Sequence, residues 1–73
     1  MNVNNEDFEF MKECAIRDIL IILVEERGLS IQQAFNIFYN SKTFLKLESP
    51  ETGLFFQSPR YILSYLDSEM NYK

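Results

Sequence analysis

A chain of 73 residues, 47% hydrophobic and 15% aromatic, is too apolar to stay disordered and long enough for only one small domain. Its net charge of −4, with seven Lys and Arg scattered rather than grouped, disfavours a sequence-independent grip on nucleic-acid phosphates. Histidine is absent and Cys14 is the only cysteine, which removes the commonest zinc ligand and any internal disulfide, so no cofactor is expected and association is the support left to so small a core.

The opening MNVNNEDFEF lacks the positive start and the small-residue cleavage site of a secretory leader, and residues 1–5 read as a frayed tail. Asn4 or Asn5 suits an N-cap, and Glu6 and Asp7 suit the first turn of the helix that follows. This helix is predicted to run to about Arg27, with Gly28 taking the left-handed conformation that ends it. Projected at about 100° per residue, Phe8, Met11, Ala15, Ile19 and Ile22 form one apolar stripe, and Phe10, Cys14 and Ile21 form a second on the opposite side. The two merge in the unbroken apolar run at residues 19–24. Fenced by Asp18 and Glu25, that run falls far short of the roughly 20 residues that span a bilayer. A cytoplasmic protein with a reduced thiol and no membrane association is therefore expected. Glu13 and Arg17 are spaced for an i,i+4 ion pair, while Glu25 and Glu26 oppose the helix dipole, a cost that Arg27 partly offsets.

Ser30 and Gln33 form a capping box that opens a second helix at Ile31, with Ile31, Ala34, Phe35 and Phe38 as its inward face. The Asn40-Ser41 step breaks the pattern, and Ser41 is placed to cap a short third helix through Leu47; the spacing leaves open whether the two helices are continuous. Phe44, Leu45 and Leu47 are expected to point inward. The stretch SPETGLFFQSP, punctuated by Pro50 and Gly53, reads as turn and loop. Residues 54–57 suit an extended segment, even a short strand, whose alternating side chains put Leu54, Phe55 and Phe56 on both sides, either covered in a groove of the same monomer or left on one side for an outside contact. Ser58 as N-cap and Pro59 at the first helical position then open a last helix to about Met70, with an apolar arc of Tyr61, Ile62, Tyr65, Leu66 and Met70.

No constellation of catalytic residues stands out. Cys14 has no histidine to act as its base and reads as a small hydrophobe. Glu6, Asp7, Glu9, Glu13 and Asp18 ring the polar sides of one helix, and Gly53 stands alone, without the further glycines of a phosphate loop. The helix pair at 31–47 could mimic a helix-turn-helix with Lys42 and Lys46 on phosphates, but Phe44, Leu45 and Leu47 interleave with those lysines and Glu48 and Glu51 would repel a nucleic acid.

The segment NSKTFLKLESPETGLFFQSPRYILSY, residues 40–65, carries Ser41 and Thr43, then Thr52, Gly53 and Leu54, then Gln57, Ser58, Pro59 and Tyr61. In these it resembles a group of short bacterial proteins of unknown function, in which the same helix starts and turn follow two helices. Each motif is a turn or cap signal, so the resemblance implies a fold and brings no active residue with it. Some proteins of this kind resemble companions encoded near toxin genes, which implies a neutralising or accessory role.

The sequence thus predicts one all-α domain of four helices, the third short, with the first helix central and a turn-rich loop before the last. The expected function is non-catalytic protein interaction, as a homodimer and with a second protein, through the candidate contacts Phe10, Cys14, Ile21, Phe55 and Phe56. A DNA-associated regulator or antitoxin-like companion is the alternative, and a small enzyme subunit relying on unpaired carboxylates and tyrosines is a further one.

Overall fold

The computed structural model describes residues 5–70, which form α1 (Asn5–Glu25), α2 (Ile31–Tyr39), α3 (Lys42–Leu47), two 3-10 turns (Pro50–Thr52 and Leu54–Phe56) and α4 (Pro59–Met70). The expected N-cap at Asn4 and most of the expected frayed start lie outside the described residues, whereas Asn5 is already the first residue of α1. Among the described residues there is no strand, and no helix is long and apolar enough to cross a membrane. Helix α1 is the central element, packing against α2, α4 and the second 3-10 turn, while α3 closes the other end against α4.

Local signals set the element boundaries. Gly28 adopts φ 74°, and the Leu29 amide reaches back to the Leu23 carbonyl at 3.1 Å, closing α1 two residues before the predicted end. The capping box forms, with the Gln33 amide donating to Ser30 Oγ at 3.1 Å and the Ser30 amide donating to Gln33 Oε1 at 3.0 Å. Ser41 separates α2 from α3: its hydroxyl donates to the Phe38 carbonyl at 2.6 Å and accepts from the Phe44 amide at 3.0 Å. At α4, the Tyr61 amide donates to Ser58 Oγ at 3.1 Å, with Pro59 at the first helical position.

The core holds Phe8, Ala15, Ile19 and Leu23 of α1, Ala34 and Phe38 of α2, Leu47 of α3, Leu54 and Phe55 of the second turn, and Ile62, Leu63 and Leu66 of α4. Phe55 meets Phe8 edge to face with centroids 4.8 Å apart, and Phe44 meets Phe38 in the same way at 5.4 Å.

Several inward faces differ from those expected. On α2, Ile31 and Phe35 stand 65% and 42% exposed, because only the Ala34 and Phe38 side lies against α1 and no other described element covers the neighbouring flank. On α3, Leu45 is 66% exposed beside a buried Leu47, since a six-residue helix can turn only one narrow side to the core. On α4, Leu63 is buried while Tyr61, Tyr65 and Met70 face out. On α1, Leu23 rather than Ile22 completes the buried stripe, and Met11 and Ile22 lie half-buried at its edge.

Residues 54–57 are not extended. The Thr52 hydroxyl donates to the Lys46 carbonyl at 2.7 Å and accepts from the Leu54 amide at 3.2 Å, and Gly53 takes φ 68°, where a Cβ would be strained. The chain therefore winds into a 3-10 turn whose own bonds, Phe56 to Gly53 at 3.1 Å and Gln57 to Leu54 at 3.0 Å, satisfy the backbone without a neighbouring strand. In that geometry Leu54 and Phe55 both enter the core and only Phe56 remains outside.

Two ion pairs take up Glu26 and Arg27 just past the end of α1, and Glu25 is in neither. Arg27 makes a two-pronged contact with Asp67, both bonds at 3.0 Å, and Arg60 grips Glu26 in the same way, tying the end of α1 to α4. The Arg60 bond holds the Glu26 carboxyl below its ordinary range. Arg17, expected to pair with Glu13, instead approaches Asp18 at 3.5 Å.

Candidate functional site

An apolar groove of about 650 Å³ lies between α1 and α2. Two rows of side chains build it. Ile16, Leu20 and Val24 recur every four residues along α1 and stay half-buried, and Ile31, Phe35 and Tyr39 recur at the same spacing along α2. The turn at Gly28 folds α2 back so that the two rows face across the fully buried Ala34. Aromatic contacts stiffen the α2 wall: Phe35 stacks on Tyr39 with centroids 5.2 Å apart, and Phe44 of α3 closes the row edge-on to Tyr39 at 4.6 Å.

Charge is confined to one edge and one end. Glu13, Arg17 and Glu25 line the α1 side, Glu48 stands at the α3 end, and α2 carries no charged residue. Among the described residues, Glu13 and Glu25 make no ion pair. Glu48 shares the Lys12 ammonium at 3.4 Å with Glu9 at 3.2 Å. Burial works to lower the Lys12 pKa, but the two carboxylates outweigh it and hold the group above its ordinary value, so this cation stays charged and committed.

The five contacts expected from sequence do not form one surface. Phe10, Cys14, Phe55 and Phe56 surround a smaller hollow of about 250 Å³ on the other side of α1, whereas Ile21 lies on the rim of the α1/α2 groove. Phe10 is 69% exposed and Phe56 half-exposed, but Phe55 is buried beneath Phe8 and belongs to the core. The groove residues were not singled out as a site by sequence reasoning, although the fourfold spacing of both rows is visible there. The two lysines of the helix-turn-helix alternative stand exposed one turn apart on α3, with Lys46 over the Tyr65 ring at 5.3 Å and the Glu69 carboxylate accepting the Lys42 amide at 2.6 Å. No cluster of three or more His, Cys, Asp or Glu that could hold a metal ion occurs among the described residues.

Ser41, Thr43, Thr52, Gly53, Ser58 and Pro59 all fall at helix starts and turns. No protein-family model, no curated protein and no solved structure matches the chain.

Proposed function

We propose that this chain is a non-catalytic protein-interaction module that receives an apolar helix in the groove between α1 and α2. The facing rows Ile16, Leu20, Val24 and Ile31, Phe35, Tyr39 support this reading, because a concave strip flanked by two helices matches the ridge of a third helix bearing apolar residues at three- and four-residue spacing. A cytoplasmic setting with a reduced Cys14 and a companion role to another protein belong to the same reading. The test is a titration of the full chain with an amphipathic helical peptide whose polar face is uncharged, followed by amide chemical shifts. Shifts confined to the two rows, lost in Phe35→Glu while the helical circular dichroism is kept, are the expected result. A peptide series that leaves these amides unmoved sinks the proposal.

Homodimerisation is the second reading, and exposed Phe10 beside half-exposed Phe56 favours it, since together they form an apolar patch separate from the groove. In this case Phe10→Glu is expected to convert a dimer into a monomer, while Ile21→Glu, on the groove rim, leaves the dimer intact. Light scattering across micromolar concentrations checks both variants, and a wild-type chain that stays monomeric throughout removes this reading.

A further inference from the structure

We propose that the occupant of the groove is a cationic amphipathic helix of another protein, an inference that rests on the groove being a docking surface. The rim carries the argument. Glu13 and Glu25 stand near opposite ends of its α1 edge, twelve residues or about 18 Å apart along the helix, and neither is neutralised by an ion pair among the described residues. Glu48, at the α3 end, is already shared with Lys12 at 3.4 Å, so the unpaired charge of the rim rests on Glu13 and Glu25. Among the described residues that line the groove, the cation Arg17 lies between them and is held by Asp18. The opposite edge, on α2, is neutral. An incoming helix is thus offered an apolar floor with negative charge along a single side. A helix of about 12 residues fills that length. Its Lys or Arg stems can lie along the apolar surface while their heads reach the α1 carboxylates.

The same charges speak against the other occupants. A second copy in this groove would gather the unpaired Glu13 and Glu25 of both chains around one seam, between molecules that each carry a net charge of −4. The chain's own last helix lacks the pattern, because Arg60 is committed to Glu26 and the remaining charges of α4 are Asp67 and Glu69. Nucleic acid and anionic lipid meet the wrong sign of charge.

The experiment uses three capped peptides of about 14 residues, long enough to span the groove as a helix, with one shared apolar stripe and flanks of Lys, Gln or Glu. Each is titrated into the full chain at low and at physiological salt, with affinity read by anisotropy and location by amide shifts. Exposed ion pairs are individually weak, so two of them should give the Lys peptide about a tenfold advantage over the Gln peptide at low salt, shrinking as salt rises. The Glu peptide should bind weakest. The double variant Glu13→Gln with Glu25→Gln should lose the preference for Lys, binding the Lys and Gln peptides alike at low salt.

Equal affinity for the Lys and Gln peptides, with shifts in the groove, overturns the cationic partner and leaves the docking surface standing. Shifts from the Lys peptide spread over the acidic surface but missing from the two rows also overturn it. Groove shifts that follow protein concentration alone, with no peptide competing, show a second copy as the occupant and overturn it too. If no peptide binds at all, the docking reading itself falls.

Discussion

Phe38→Ala is expected to unfold the chain at room temperature, whereas Phe35→Ala, one turn away in sequence position, leaves it folded. Phe38 is wholly buried, with its ring edge-on to Phe44 at 5.4 Å and to Tyr39 at 5.9 Å. Truncating such a ring removes its transfer energy and leaves a cavity, together about 3–5 kcal/mol. A single core in a domain of this size supplies on the order of 3–5 kcal/mol in all, so the loss consumes most of it. Phe35 is 42% exposed on the groove wall, and its truncation is expected to change stability by less than about 1 kcal/mol. Urea unfolding followed by circular dichroism separates the two variants. A cooperative transition for Phe38→Ala with a midpoint near that of the wild type would mean that the ring is not at the centre of the core.

The contrast between these two phenylalanines also marks the boundary between what was legible in the sequence and what was not. Helix starts and stops were legible because their causes are local: Ser30 with Gln33, Ser41, Ser58 with Pro59, and the glycines at 28 and 53 all act within a few residues of themselves. Which flank of each helix is covered is a tertiary matter. Periodicity marks Ile31, Phe35 and Phe38 as apolar neighbours on α2, but only the path of α1 decides that Phe38 is buried and the other two line a groove. The 3-10 turn at Leu54–Phe56 is not legible in its own residues, because its cause, the Thr52 hydroxyl reaching back six residues to the Lys46 carbonyl, is not a feature of the segment itself.

For the candidate site the same limit applied more strongly. The row Ile31, Phe35, Tyr39 was visible as a fourfold spacing, and so was Ile16, Leu20, Val24, yet nothing in either row says that it faces the other. Reading α1 as two stripes placed Ile21 with Phe10 and Cys14. On a 21-residue helix one line can border different neighbours along its length, and here Ile21 borders α2 whereas Phe10 and Cys14 border the second 3-10 turn. The ion pairs Glu26 to Arg60 and Arg27 to Asp67 join residues 34 and 40 positions apart, a separation at which no sequence rule pairs charges.

Glu69 is the strongest instance of such a long-range cause, and its removal should destabilise the fold by about 2 kcal/mol, since charge-assisted bonds contribute about 1.5–3 kcal/mol each but do not add fully in a half-exposed site. Its carboxylate accepts the Lys42 amide at 2.6 Å, the Thr43 amide at 3.0 Å and the Thr43 hydroxyl at 2.8 Å, so α4 supplies a second cap to a six-residue helix too short to stand alone. Partial burial alone would raise the Glu69 pKa, yet the two amides and the hydroxyl prefer the ionised form and hold it below its ordinary value of 4.5. With a folded pKa below the unfolded one, the stabilisation is complete above that ordinary value and is lost as pH falls through the folded value. Glu69→Ala should therefore melt roughly 8–16 °C below the wild type near neutral pH, by the usual relation between free energy and melting temperature for a domain of this length. The gap should close on acidification, because the wild type loses the carboxylate while the variant has none to lose. Thr43→Ala leaves both amide bonds in place and is expected to cost about half as much. Thermal melts of the two single variants and the double across acid to neutral pH check this, and a gap between wild type and Glu69→Ala that does not change with pH would show that the residue acts by packing rather than by its charge.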